Sequence, residues 1–177
     1  MGNRWKNAGG VGVGGFPEEA VGLRMQNRHS AAVAKGDIVM QDILNSAALS
    51  GATFTPGDVK SVYAGVVRPN TAGISAGATF YVAEEAVGIL AWGLFTRKSN
   101  DVLCSIEGAL ATALTDVLQP QNGALTLDQN ATTGATAHVP VIARVIEAQA
   151  DTVHTAATVL TRCAFDGDGF TVPPHSA

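Results

Sequence analysis

Residues 79–106 read TFYVAEEAVGILAWGLFTRKSNDVLCSI and contain three apolar runs separated by polar residues. The first run, 79–83, is rich in aromatic and β-branched side chains, which favour strands. The second run, 87–96, is apolar almost throughout, and the pattern predicts that Lys98-Ser99-Asn100-Asp101 bounds it. A third strand is predicted over 102–106. Short apolar runs bounded by turn residues are typical of an antiparallel β-sheet.

The same pattern continues on both sides of this stretch. Turns are predicted at Lys35-Gly36-Asp37 and at Asn122-Gly123. Segment 109–118 is open between helix and strand, and Pro140 places its strand at an edge or a bulge. The further predicted strands are 31–34, 38–40, 61–67, 125–127, 139–148 and 159–165. Short strands at a spacing of about 8–12 residues predict an antiparallel β-sandwich or barrel with at most one or two short helices.

One short pattern occurs twice in the predicted body. Residues 33–39, Val-Ala-Lys-Gly-Asp-Ile-Val, resemble residues 74–80, Ile-Ser-Ala-Gly-Ala-Thr-Phe. Each has an apolar residue, two spacers and a glycine, followed by a strand. We interpret this as one hairpin connection used twice, which does not by itself establish a duplication.

The beginning of the chain has a different composition from the rest. Residues 9–15 are mostly glycine, which loses the most backbone entropy on ordering. We predict an extended arm over 1–28, a β-rich body over 29–167 and an extended tail over 168–177. The arm becomes ordered only where another surface receives its apolar anchors. Its predicted partner-binding residues are Trp5, Gly10, Gly12, Gly14, Phe16 and Leu23.

Charged residues make up 15% of the chain, where about 25% is usual. Such a composition predicts either that other subunits cover part of the surface, or that the surface is neutral and rich in alanine and threonine. The net charge is −4, with no cluster of basic residues. Because nucleic-acid binding depends on neutralising phosphates, no nucleic-acid partner is expected.

The lengths of the apolar runs predict a protein that is not bound to a membrane, and the positions of the cysteines predict the state of their thiols. The longest apolar run, 87–95, falls far short of the ~20 residues that span a bilayer. No apolar segment of a secretory signal follows the first residues, so we expect synthesis in the cytoplasm. Cys104 and Cys163 lie in strand-like apolar runs, which predicts buried free thiols, although a disulfide between them stays open.

Two glycine-containing motifs suggest ligand chemistry but lack its context. Residues 10–15 match G-x-G-x-x-G, yet the strand that a dinucleotide site requires is absent before them. Asp166-Gly167-Asp168-Gly169 begins like a calcium loop, but apolar residues follow it instead of further oxygen ligands. We expect a flexible segment at the first motif, a turn at the second, and neither a cofactor nor a metal.

The remaining candidate residues do not form a catalytic constellation. The four histidines, which lie apart from one another beside turns or strand edges, are His29, His138, His154 and His175. Glu84 and Glu85 would point to opposite faces of a strand or occupy neighbouring helix positions, neither of which flanks one bond. Trp92 is predicted to lie in the core or in a subunit interface. We therefore predict no catalytic residues and no enzymatic activity.

The body resembles the small decoration, or cement, proteins of tailed-bacteriophage capsids. The stretches that carry the resemblance are 34–39, 74–82 and 140–148, the last reading Pro-Val-Ile-Ala-Arg-Val-Ile-Glu-Ala. The resemblance implies a β-sandwich or barrel that forms a homotrimer on the capsid surface and binds the major capsid protein. The arm would then reach across neighbouring capsid subunits and help the shell resist the pressure of packaged DNA.

Two other kinds of protein stay open at this point. One is another structural subunit of the virion, in the tail tube or at the head completion site, which would form rings or stacks. The other is a carbohydrate-binding adhesion module, which exposed aromatic side chains on a loop face would favour.

Overall fold

The computed structural model describes residues 22–43, 65–107, 112–129, 140–148 and 158–169. This part of the chain is mainly β, with ten strands and one short helix. The strands are β1 (Gly22–Asn27), β2 (Ile38–Gln41), β3 (Gly65–Val67), β4 (Phe80–Ala83), β5 (Trp92–Thr96), β6 (Lys98–Glu107), β7 (Val117–Pro120), β8 (Leu127–Asp128), β9 (Ala143–Val145) and β10 (Thr158–Asp166). The helix is α1 (Thr71–Ser75).

The strands form two closed barrels of five strands each. Barrel 1 has the strand order β1-β3-β2-β4-β5, and barrel 2 has the order β10-β6-β8-β7-β9. In barrel 1, β1 and β3 pair in parallel and every other pair is antiparallel. Barrel 2 repeats this arrangement, with β6 and β8 as its parallel pair. Strands β1–β5 therefore correspond, in chain order, to β6–β10, and the fold is a tandem repeat of one barrel topology.

A tight turn before the second strand of each barrel repeats in sequence as well as in shape. The central residue has a left-handed backbone in both barrels, with φ of 88° at Gly36 and 73° at Thr115. A carboxylate follows directly: Asp37 accepts a hydrogen bond from the backbone N–H of Ala34, and Asp116 does so from Ala113. The aspartates hold the turns because their side chains satisfy backbone donors that the turn leaves unpaired.

Barrel 1 fills its interior with its own side chains. The inward-facing cluster consists of Met25, Val33, Val39, Val66, Tyr81, Ala83, Val87 and Phe95. Side chains alternate along β2 and β4, so the intervening residues of these strands point outward from barrel 1. Those residues are nevertheless fully buried, which means that β2 and β4 are covered on both faces.

Barrel 2 covers the outward face of β2 and β4. Four residues of this face belong to one continuous apolar cluster with the core of barrel 2, namely Ile38, Met40, Phe80 and Val82. Both aromatic positions of the barrel 1 interior have small side chains in barrel 2: Cys163 stands where barrel 1 has Phe95, and Ala143 stands where it has Tyr81. The four side chains from barrel 1 thus complete a core that barrel 2 does not fill alone.

Backbone hydrogen bonds also join the barrels. The N–H of Phe80 donates to the carbonyl of Gly167 at 2.8 Å, and the N–H of Ile38 donates to Leu125 at 2.8 Å. Near the first turn, the N–H of Ser105 donates to the carbonyl of Gly36 at 2.8 Å. These contacts, together with the shared core, make the two barrels one body.

The predicted β-rich class is confirmed, and of the two predicted architectures the barrel is observed. The predicted boundary of the arm is wrong, because residues 22–27 form β1 and pair along β5. Met25 points into barrel 1, whereas Arg24 and Gln26 lie on the outer side, so this segment has the alternation of a half-buried strand. Where one body over 29–167 was predicted, the structure has two barrels, and the first of them begins at Gly22.

The strand that ends at Thr96 is bounded as predicted, but the predicted start of the next strand at residue 102 is wrong, since 98–101 begin β6. Two of their side chains make cross-strand ion pairs, Lys98 with Asp166 at 3.0 Å and Asp101 with Arg162, while Ser99 is buried and bonds to the Asp101 backbone. Opposite charges across a ladder stabilise pairing, which lets a polar stretch continue a strand.

The proposed echo between 33–39 and 74–80 does not hold in the structure. Ile74 lies in α1, whose first turn is capped by Asn70, the side chain of which accepts a hydrogen bond from Gly73 N–H at 2.8 Å. The equivalent of the first turn is instead at 113–116, where Ala-Leu-Thr-Asp corresponds to Ala34-Lys35-Gly36-Asp37.

The cysteine prediction is confirmed: Cys104 and Cys163 are both free and fully buried in barrel 2. Burial raises the pKa of the Cys104 thiol well above its usual value, and the neighbouring Cys163 adds to this rise. Because the thiolate is the reactive form, both side chains act as small apolar groups of the core.

Candidate functional site

A polar groove of about 490 Å³ lies between the two barrels. Its charged lining residues come from both sides, with His29, Asp37 and Arg68 from barrel 1 and Glu107 from barrel 2. Residues 121 and 123–126, which follow β7, form the rest of its wall together with Thr158. Grooves at the junction of two structural units are common places for binding sites.

The carboxylate of Asp37 is already engaged by structural hydrogen bonds. One oxygen accepts from Ala34 N–H at 2.8 Å, and the other accepts from the Ser105 hydroxyl at 3.1 Å, which links the turn to β6 of barrel 2. Burial raises the pKa of Asp37, although these hydrogen bonds oppose the rise. The group therefore fixes the position of barrel 1 on barrel 2 and is poorly placed to serve as a general base.

The imidazole of His29 is buried, contrary to the exposed alternative in the sequence prediction. Burial lowers its pKa, and the positive charge of Arg68 lowers it further, so the neutral form is favoured at pH 7. Its backbone N–H donates to the side chain of Asn27 at 2.9 Å. This hydrogen bond fixes the backbone at His29, just after β1, and the alternative of a histidine with a satisfied side chain stays a prediction.

A second groove, of about 320 Å³, is lined by Lys35, Glu84, Asp101 and Arg162 among other residues. Two of its charges form an ion pair. Arg162 contacts Asp101 and holds the pKa of that carboxyl below its usual value, and Glu147 lies 3.9 Å from the same guanidinium. Glu84 accepts a hydrogen bond from the Thr96 hydroxyl. These contacts tie three of the four charged side chains into the fold.

A buried ion pair underlies the end of β2. Arg28 and Asp42 are 3.3 Å apart and nearly inaccessible to solvent. The guanidinium lies so close to Gly65 that a β-carbon at that position would overlap it. The pair thus connects the segments that follow β1 and β2 to the start of β3, as a structural element.

The glycine-aspartate segment after β10 is a turn, as predicted. Gly169 N–H donates to the carbonyl of Asp166, and the carboxylates of Asp166 and Asp168 pair with Lys98 and Arg97. Across the described ranges, no group of three or more histidine, cysteine or acidic side chains could hold a metal ion.

Exposed apolar side chains are concentrated on the outside of each barrel. In barrel 1, β5 presents Trp92 and Leu94 on its outer side, and Ile89 and Leu90 form the turn before it. In barrel 2, Leu114 in the turn before β7, Val117 and Ile146 are exposed. We refer to Ile89, Leu90, Trp92 and Leu94 as the β5 face, and to Leu114, Val117 and Ile146 as the β7–β9 face. Grouped apolar side chains on a surface mark contacts with other proteins.

The predicted arm residues fall mostly outside the described part of the chain. Outside the described part lie Trp5, Gly10, Gly12, Gly14 and Phe16. The G-x-G-x-x-G match and three of the histidines lie outside it as well, namely His138, His154 and His175. Leu23 is described, and it lies in β1 opposite Phe95, at the edge of the barrel interior. It belongs to barrel 1, which leaves Trp5 and Phe16 as the anchors of the predicted arm.

Trp92 was predicted to lie in the core or in an interface, and the core alternative is wrong because half of its surface is exposed. The sequence analysis did not predict the β7–β9 face. One signal for this face was present in the sequence. Val117 follows the turn at 113–116 just as the buried Ile38 follows the turn at 34–37, so an apolar outer residue occurs in both barrels.

Comparison with known proteins returned no relatives: no family model matches the chain, and no curated protein matches it. Among the described residues, no helix has the length and apolar character that a membrane crossing needs.

Proposed function

We propose that this chain is a structural protein of a virion, a decoration or cement protein that binds the outside of a phage head. In this role it stabilises contacts between neighbouring major capsid subunits, its partners being the major capsid protein and two further copies in a homotrimer. It does so without a cofactor, a metal or a catalytic reaction, and its location is the capsid surface after synthesis in the host cytoplasm.

The observation that carries the proposal is the exposure of apolar side chains on both barrels. Trp92 and Leu94 on one side, and Leu114 and Val117 on the other, suit a protein whose surface is covered by protein neighbours. The low proportion of charged residues agrees with this interpretation. Several charged side chains of the two grooves take part in hydrogen bonds or ion pairs within the fold, namely Asp37, Glu84, Asp101 and Arg162. This favours a structural role over an enzymatic one.

A rigid body that carries several apolar contacts is well suited to reinforcing a shell. Several modest contacts on one oligomer add up to high avidity, because each later contact forms within an assembly that is already bound. The predicted arm would add a further contact. Its ordering costs entropy, so the capsid surface must bury anchors such as Trp5 and Phe16.

A subunit of the tail tube or of the head completion site is the second candidate. The same two exposed faces favour it, since they lie on different barrels and would serve a ring or a stack of subunits. A carbohydrate-binding module has less support, because the exposed aromatic side chain of the described part, Trp92, stands in a strand among aliphatic residues.

We expect deletion of residues 1–16 to leave both barrels folded and to weaken binding to phage heads about 100-fold or more, the scale that multivalency contributes. The measurement is co-sedimentation of the purified protein with undecorated heads of the same virus, with circular dichroism to confirm folding. Replacing both anchors, Trp5→Ala with Phe16→Ala, should reproduce most of the loss.

The matched control is the pair Asn3→Ala with Asn7→Ala, which removes polar side chains from the same segment and should bind as the unaltered protein does. Undiminished binding by the 1–16 deletion would show that the arm takes no part in attachment.

A further inference from the structure

The polar groove between the two barrels contains two charged side chains of opposite sign that take no part in holding the fold. Arg68 lines the groove from barrel 1 and Glu107 lines it from barrel 2, and both residues are exposed. Within the described residues, neither side chain makes a hydrogen bond or an ion pair. Asp37, in contrast, accepts hydrogen bonds from Ala34 and Ser105. The groove therefore has one guanidinium and one carboxylate that are available to a ligand.

Strand pairing in barrel 1 explains why Arg68 lies at this groove. β1 and β3 pair in parallel with Asn27 next to Val66, and the same register continued by two residues puts His29 beside Arg68. Burial and the positive charge of Arg68 both lower the pKa of His29. Because the imidazole is then neutral at pH 7, Arg68 is the cation on the barrel 1 side of the groove.

Glu107 reaches the groove from the end of β6 in barrel 2. Ser105 lies on the side of β6 that faces barrel 1, since its hydroxyl donates to Asp37 at 3.1 Å. Side chains two residues apart on a strand lie on the same face, about 7 Å from each other, so Glu107 follows Ser105 on this side. A ligand in the groove would thus contact a guanidinium of one barrel and a carboxylate of the other.

The lining residues favour a ligand that carries both charges. A carboxylate can accept two parallel hydrogen bonds from the planar guanidinium of Arg68, and an ammonium group can donate to Glu107. A phosphate group is disfavoured, because the groove has one cation beside the two carboxylates of Asp37 and Glu107. A sugar ring is disfavoured as well, because no aromatic side chain lines the groove for it to stack on. The volume of about 490 Å³ lies within the range of about 300–1,000 Å³ that binding pockets have.

We propose that the groove between the barrels binds a peptide segment that carries a carboxylate and an ammonium group, with the carboxylate on Arg68 and the ammonium group on Glu107. A free amino acid has the same two groups and is the alternative source of this chemistry. The peptide is favoured because Arg68, Glu107 and Gly123 are all exposed, so a longer chain can continue out of the groove. The inference depends on the groove alone and goes beyond the proposed role on a phage head.

The test is isothermal titration calorimetry of the full chain with acetylated and amidated peptides. Each peptide contains one glutamate and one lysine, separated by zero to three alanines. Matched peptides have glutamine in place of the glutamate, or alanine in place of the lysine. Because hydrogen bonds to charged groups are the strong ones, each matched peptide should bind at least about tenfold more weakly than the best doubly charged peptide.

Two variants connect each charge of the peptide to its own side chain in the groove. Arg68→Gln should bind the glutamate and glutamine peptides equally, and Glu107→Gln should bind the lysine and alanine peptides equally. Arg24→Gln and Glu147→Gln remove exposed charges outside the groove and are the matched controls. Both controls should keep the preferences of the unaltered chain, and circular dichroism checks that every variant is folded.

Free glycine and free lysine are titrated in parallel. If they bind and the peptides do not, the peptide ligand is overturned and a small zwitterion occupies the groove. Peptides that bind regardless of their charges, charge preferences that persist in both Arg68→Gln and Glu107→Gln, or the absence of any binding would overturn the proposal. None of these results bears on attachment to phage heads, which co-sedimentation measures separately.

Discussion

Phe80→Ala is expected to destabilise both barrels, although Phe80 belongs to a strand of barrel 1. The side chain is fully buried in the cluster that contains the core of barrel 2. Truncation of a buried phenylalanine costs about 3–5 kcal/mol, because it removes apolar contacts and leaves a cavity. Ile89→Ala, a truncation of an exposed apolar side chain in the turn before the neighbouring strand β5, is the matched control and should cost within about 0.5 kcal/mol.

Urea unfolding with one probe in each barrel tests this expectation. In a Trp5→Phe background, the fluorescence of Trp92 reports on barrel 1, and the reactivity of Cys104 and Cys163 with a thiol reagent reports on barrel 2. We expect the two transitions to coincide and to shift together in the Phe80→Ala protein. A variant in which the thiols keep their full protection while the tryptophan signal is lost would show that the barrels do not share a core. The Phe80→Ala substitution leaves the fluorescent probe in the protein, because Trp92 lies in β5 and Phe80 lies in β4.

Asp42→Ala is expected to cost about 3–5 kcal/mol, because it leaves the Arg28 guanidinium buried without its carboxylate partner. Asp101→Ala is the matched control, as its ion pair with Arg162 is half exposed and such pairs contribute about 1 kcal/mol or less. The free energies of unfolding from urea titration, measured at one ionic strength, give the comparison.

The double variant Arg28→Met with Asp42→Leu separates the cost of an unpaired charge from the loss of the pair. Removing both charges at once should restore most of the stability that Asp42→Ala loses, since apolar side chains of similar volume often replace a buried pair with little cost. A loss from Asp42→Ala no larger than that from Asp101→Ala would contradict the interpretation of this pair as a buried structural element.

Local patterns predicted several strands and turns correctly. The alternation of residues 159, 161, 163 and 165 predicted the inward face of β10. The pairing register between β10 and β6 shifts between Cys163 and Phe165, yet both side chains stay buried. The turn at Asn122-Gly123 is present, with a φ of 76° at the glycine. These features follow from side-chain periodicity and turn chemistry, which act over a few neighbouring residues.

The features that the sequence analysis missed depend on partners distant in the chain. Residues 98–101 are polar and would end a strand by themselves, yet Asp166 and Arg162 in β10 pair with them. β1 is a strand because it pairs with β5, which lies far away in the chain: Gly22 pairs with Thr96, 74 positions later. The tandem repeat has a sequence signal, since 34–37 and 113–116 both begin with alanine and end with aspartate. The sequence analysis instead matched 33–39 with 74–80, which is not the equivalent segment.

The candidate binding surfaces were predicted only in part. Composition left two alternatives open, a surface partly covered by protein neighbours or a neutral surface rich in alanine and threonine, and Trp92 was placed in a core or an interface. Which faces stay exposed is decided by how the barrels pack, because Ile38 and Val117 occupy equivalent positions and differ only in whether another barrel covers them. No pattern within a single strand contains that information.

Electron microscopy of phage heads, prepared with and without this protein, tests the central claim most directly. We expect the added protein to produce density on the outer surface of the shell that connects neighbouring capsid subunits and accommodates two barrels per copy. Heads that look the same in both preparations, or added density confined to the tail or the portal end, would contradict a decorating role.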